Sequence, residues 1–153
     1  PGLGDGKEAD NKHAKGIISK LLERDEKGNL LIDLVLVILD GSSRDLGTSY
    51  ELINNVIIPN LGEDKNNRIL IAINQADIAM KGFYWNNITK LPDSQLINFL
   101  NDKAISIKER VKEATGVDIL TPVYYSAEYN WNVKAVFDFI IDHMPSEKRK
   151  FIK

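Results

Sequence analysis

Two segments of the chain are almost wholly apolar, LLIDLVLVILD (Leu30 to Asp40) and RILIAIN (Arg68 to Asn74). Both are rich in branched side chains, and neither shows the strict alternation of a strand with one wet face. Each therefore predicts a strand covered on both sides. A third stretch, ILTPVYYSA (Ile119 to Ala127), predicts a third strand. Around these the apolar positions recur every three to four residues. NKHAKGIISKLLERDEKGN (Asn11 to Asn29) sets Ile17, Ile18, Leu21 and Leu22 at helical spacing. TSYELINNVIIPNLG (Thr48 to Gly62) reads as a helix closed by Pro59 and Gly62. DSQLINFLNDKAISIKERVKEATG (Asp93 to Gly116) reads as a long amphipathic helix with Asp93 or Ser94 as its cap. NVKAVFDFIIDHM (Asn132 to Met144) is a last helix, stopped by Pro145. The polar and aromatic stretch from Gln75 to Asp93 predicts a long loop.

Strands alternating with helices imply an α/β layer fold with parallel pairing. Right-handed crossovers then put functional loops at the carboxyl ends of the strands. That singles out Asp40, the run Asn74 to Asp77, and Ser126 to Glu128.

A chain of 153 residues is long enough for one domain with its own core. Its net charge of −2 gives no global basic field of the kind that marks a nucleic-acid binder. The absence of cysteine removes disulfides, thiolate metal sites and cysteine nucleophiles, and fits a cytoplasmic location. No apolar run approaches the roughly 20 residues that span a bilayer, so no membrane partner is expected. His13 and His143 stand far apart without the carboxylate or cysteine spacing of a metal site, and Gly-x-Ser-x-Gly is missing.

The chemistry lies in Asn74-Gln75-Ala76-Asp77, directly after an apolar strand. Guanine presents N1–H and N2–H₂ side by side, and one carboxylate can accept both; adenine has no such donor pair. Charge-assisted hydrogen bonds in a partly dry pocket contribute about 1.5–3 kcal/mol each. Asn74 could brace neighbouring loops or touch the base. The backbone N–H groups near Ser126, Ala127 and Glu128 could donate to the guanine carbonyl. The plainer reading is that Asn74 and Asp77 only turn the chain and cap a helix.

The opening PGLGDG is a poor phosphate loop. The pattern G-x-x-x-x-G-K followed by Ser or Thr would need Gly at Pro1 and a hydroxyl at Glu8. Taken in order, PGLGDG, LVLVILD, INQAD and YYSA resemble a P-loop GTPase of the translation-factor-related class, most nearly the Era-like bacterial GTPases, which include ribosome-associated members. The resemblance covers nearly all of this chain but only the later part of the family's domain. It implies a three-layer, Rossmann-like P-loop NTPase fold whose N-terminal strands are missing. Residues 1–145 would be the C-terminal portion of a G domain and residues 146–153 a basic tail or linker.

By this resemblance Asn74 and Asp77 match the guanine-specificity motif, and Ser126 and Ala127 match the family's Ser-Ala motif, with Glu128 beside them. Gln75 stands where the family usually has Lys, which removes a charge from over the base. PGLGDG becomes the end of the third motif: Gly2 matches the glycine whose N–H meets the γ-phosphate, and Leu3 and Gly4 follow in a switch-like segment. Leu3 has no polar atom with which to orient water. GTP or GDP is the implied ligand, and Mg²⁺ is expected only with motifs upstream of Pro1. The chain as given is expected neither to hydrolyse GTP at a useful rate nor to bind it tightly, because positioning by the P-loop and its Lys is lacking. The alternative is a catalytically silent GTPase-like module that binds a protein partner.

Three further expectations concern surfaces. The strand LVLVILD, without its usual inner neighbour, becomes an apolar sheet edge that invites homodimerisation. Arg44 or Asp45, after that strand, could touch phosphate, though a turn capping the next helix is the simpler role. In the Met80 to Trp85 loop, Phe83 and Trp85 could pack over the sheet edge or meet RNA or another partner by stacking. The four basic residues of SEKRKFIK could touch ribosomal RNA or form a solvated linker.

Overall fold

The computed structural model describes residues 7–149. Gly2, Leu3 and Gly4 lie outside the described residues. Helix α1 (Lys7–Leu21) leads through a turn to strand β1 (Val35–Asp40) and then to helix α2 (Gly47–Leu52). Strand β2 (Ile69–Asn74) follows, then a small antiparallel pair, β3 (Trp85–Asn86) with β4 (Leu91–Pro92). Helix α3 (Ser94–Thr115), strand β5 (Val123–Tyr124) and helix α4 (Val133–Asp142) complete the order. The main sheet is parallel in the order β1-β2-β5, with Val35 opposite Ile69, Asp40 opposite Asn74, and Ala72 opposite Val123.

Helices lie on both faces of this sheet. Val37, Leu39, Ile69, Ile71 and Ile73 pack with Leu21 of α1, Leu52 of α2, and Ala104, Ile107 and Val111 of α3. On the other face Ala72 packs with Tyr125 and with Val136 of α4. Strand β2 is buried on both faces, as its apolar run predicts. Strand β1 is not. Among the described residues it has one strand neighbour, and Ile38 is 53% exposed on the face that α4 partly covers.

Several boundaries differ from the sequence pattern. Strand β1 starts at Val35 rather than Leu30, because β2 begins only at Ile69 and leaves nothing for residues 31–34 to pair with. Leu30 instead bridges back to Arg24. Strand β5 is two residues long; Pro122 has no N–H to add to the ladder at its start. Helix α2 continues as a π-turn over Ile53–Ile57 and a 3₁₀ turn over Ile58–Asn60. Pro59 cannot continue the α-helical ladder, and the Asn60 side chain donates to the Val56 carbonyl oxygen at 2.6 Å. The predicted long loop contains the β3–β4 pair, with Trp85 buried on Leu96 and Leu100 while Phe83 is exposed.

The start of the basic tail folds back onto the amino end of the sheet. Arg68 Nη1 donates to the carbonyls of Asp33 and Glu147 at 3.2 and 2.8 Å. The Arg149 N–H donates to Asp33 Oδ1 at 2.9 Å. Up to Arg149, then, the tail lies against the amino end of the sheet.

Candidate base-recognition site

The carboxyl ends of β2 and β5 meet in a small set of directed hydrogen bonds. Tyr125 N–H donates to the Ile73 carbonyl at 2.8 Å, and Ala76 N–H donates to the Tyr125 carbonyl at 3.0 Å. These bonds extend the pairing of the two strands past their ends and fix the two loops side by side. Gln75 takes the left-handed conformation (φ 59°), which turns the chain sharply into a 3₁₀ turn over Ala76–Ile78. That turn swings Asp77 inward.

Asp77 is 7% exposed and Ser126 is fully buried. The Ser126 hydroxyl donates to Asp77 Oδ1 at 2.8 Å. A buried carboxylate needs donors, and Ser126 supplies one to Oδ1. Asn74 reaches across to the same loop: its Oδ1 accepts from the Ala127 N–H at 3.0 Å. Asn74 thus braces the neighbouring loop, one of the two roles open to it from sequence. The Ala127 N–H is held by that bond, and the Ser126 N–H by the Trp131 carbonyl at 2.9 Å. Glu128 is exposed in the same turn. Gln75 is half-buried beside them. Asn74, Gln75, Asp77, Ser126, Ala127 and Glu128 therefore share one end of the sheet.

The loop that carries Ser126 is closed on itself. Ser126 and Trp131 exchange two backbone hydrogen bonds at 2.9 Å, and Asn130 and Asn132 take positive φ to make the reversal. Aromatic rings hold it from outside. Trp85 stacks on Tyr129 at 5.5 Å and meets Trp131 edge-on at 6.0 Å, and Lys90 lies 4.7 Å from the Tyr129 ring centre. The β3–β4 pair thus clamps the Ser126 loop.

Two contributors escaped the sequence reading. Gly41, just after β1, donates its N–H to the Asn74 carbonyl at 2.8 Å. A Cβ there would lie 2.6 Å from that same oxygen and 2.9 Å from Ile73 Cγ2, so only glycine fits. Lys103 donates from Nζ to the Gly41 and Ser43 carbonyls at 2.9 and 2.8 Å, pinning this loop to α3. Burial pushes the Lys103 ammonium below the usual lysine pKa, and the nearby Asp40 charge opposes that. A signal for Lys103 exists: it sits between Leu100 and Ile107 at helical spacing, on the flank of the buried stripe of α3. After the same strand, Asp45 stands one residue before Leu46, the N-cap of α2, and its Oδ1 accepts from the Gly47 N–H at 2.8 Å, while Arg44 is exposed.

Comparison with protein-family models, curated proteins and solved structures found no match.

Proposed function

We propose that the chain carries the base-reading half of a guanine-nucleotide-binding domain, the C-terminal portion of an Era-like, P-loop NTPase-like G domain. The observation that carries this reading is the 2.8 Å hydrogen bond from Ser126 to Asp77, which joins the two sequence motifs at one strand mouth. A serine donating to one carboxylate oxygen restrains the Asp77 side chain. The carboxylate's remaining lone pairs then suit the paired N1–H and N2–H₂ of guanine. The Asn74 side chain, accepting from the Ala127 N–H at 3.0 Å, ties the Ser126–Ala127 turn to the end of β2. Gln75 offers an uncharged side chain at the position over the ring. The parallel order β1-β2-β5 with helices on both faces is compatible with this domain. In this reading a strand and helix from upstream of Pro1 would pack on the open edge of β1 and over Ile38, and would bring the phosphate loop, Mg²⁺ and a competent GTPase or switch.

The test is titration with GDP followed by tryptophan fluorescence, since Trp131 pairs with Ser126. Weak, saturable binding of GDP, with ADP at least about tenfold weaker, is expected. Asp77→Ala should abolish it. Asp77→Asn should shift preference toward xanthosine diphosphate, because xanthine carries an oxygen at position 2 where an amide can donate. Equal responses to GDP and ADP, or binding unchanged by Asp77→Ala, would overturn the proposal. If the chain joined to its upstream residues also ignores GDP, the silent protein-binding module is the better reading.

A further inference from the structure

The base-recognition site leaves a second concavity unused. A cleft of about 880 Å³ opens between the loop after β1, the start of α2, the Ala79–Lys81 turn and one flank of α3. Among the described residues its walls carry four cations, Arg44, Lys81, Lys103 and Arg110, against one carboxylate, Asp102. The whole chain has 20 basic and 22 acidic residues, so this bias is local and not a consequence of composition.

Two of the cations are held in place. Lys103 Nζ lies 5.9 Å from the Phe99 ring centre and is anchored by the Gly41 and Ser43 carbonyls. The Arg110 guanidinium lies 5.3 Å from the Tyr50 ring centre. The Lys103 ammonium is partly dry, so an anion beside it gains more than it would in open water. Arg44 and Lys81 are exposed at the rim. Two anchored cations and two exposed ones around one concavity match a ligand with many oxygens and more than one negative charge. The volume falls within the range of about 300–1,000 Å³ seen for small-ligand clefts. Single-stranded RNA suits the cleft less well. It needs open aromatic faces for base stacking, and Phe99 and Tyr50 already carry cations.

We propose that this cleft binds a compact ligand bearing two or more phosphate groups, a pyrophosphate-like or short polyphosphate chain, with Arg44, Lys81, Lys103 and Arg110 as its counter-charges. The inference stands apart from the base-reading proposal. The experiment is calorimetric titration of the full chain with sodium tripolyphosphate at low ionic strength. Saturable one-to-one binding that weakens with added salt is expected. The double variant Arg44→Glu/Lys81→Glu should bind at least about tenfold more weakly, with an unchanged circular-dichroism spectrum. The milder Arg44→Gln/Lys81→Gln should fall in between, which guards against misfolding as the cause. Asp77→Ala should bind like the wild type. No saturable binding, wild-type affinity in the double variants, or loss of binding in Asp77→Ala would each overturn the proposal. So would a poly-uridine oligonucleotide that binds more tightly than tripolyphosphate and is lost in the same double variants.

Discussion

Ser126 has no exposed surface, and its hydroxyl serves two partners: it donates to Asp77 and accepts from the Tyr129 N–H at 3.3 Å. Ser126→Ala removes both bonds and leaves a buried carboxylate oxygen without its donor. We expect a loss of about 1–3 kcal/mol, read as a lower urea midpoint at constant m-value. A midpoint equal to the wild type's would mean that water replaces the hydroxyl at no cost. At this scale the sequence was informative where chemistry and position coincided. An Asp, an Asn and a Ser-Ala pair at the ends of apolar strands point to one another because parallel strands end on the same side. Gly41 was not legible, and the spacing of Lys103 marked its place on α3 but not its partners. Their roles depend on a backbone carbonyl and on a loop, neither of which leaves a pattern in side-chain type.

Among the elements, α3 is the best specified by sequence. Leu96, Leu100, Ala104, Ile107 and Val111 form its buried stripe. Asp93 caps it, accepting from the N–H groups of Gln95 and Leu96 at 3.0 and 3.1 Å. Gly116 closes it in the left-handed conformation. Asp93→Ala should cost about 0.5–2 kcal/mol, measured by thermal unfolding, with little change in Asp93→Asn. Equal loss in both variants would point instead to the carboxylate's charge near the helix start. The strands were legible in existence and poorly in length. Hydrophobic runs report burial, and Leu30 and Ile119 are buried without belonging to a strand. Strand length is set by the neighbour's register, which a single segment does not encode. The β3–β4 pair was missed because two-residue strands carry no period.

At the scale of the molecule, the sheet is well covered on one face and half-open on the other. Ile38 of β1, and Phe137 and Ile141 of α4, are 53%, 60% and 68% exposed. An edge with no strand partner among the described residues, beside bare apolar side chains, favours association with another chain. We expect concentration-dependent self-association of the 153-residue chain in sedimentation, reduced by Ile38→Lys without loss of secondary structure. A monomer at every concentration would remove the β1 edge as a docking surface. The fold class was legible here from the order of strand and helix patterns, since parallel strands require a crossover between them. Which helix lies on which face was not, because an apolar stripe marks a helix as packed without naming the face of the sheet it packs on.

Gly41 ties these scales together. Nothing but hydrogen separates its α-carbon from the end of β2, so the turns that follow β1 and β2 ride on a common contact. A displacement of Arg44 or Ser43 by something seated beside α3 would be transmitted to Asn74 with no soft side chain to absorb it. One backbone contact thus joins the loop that walls the cleft to the strand mouth.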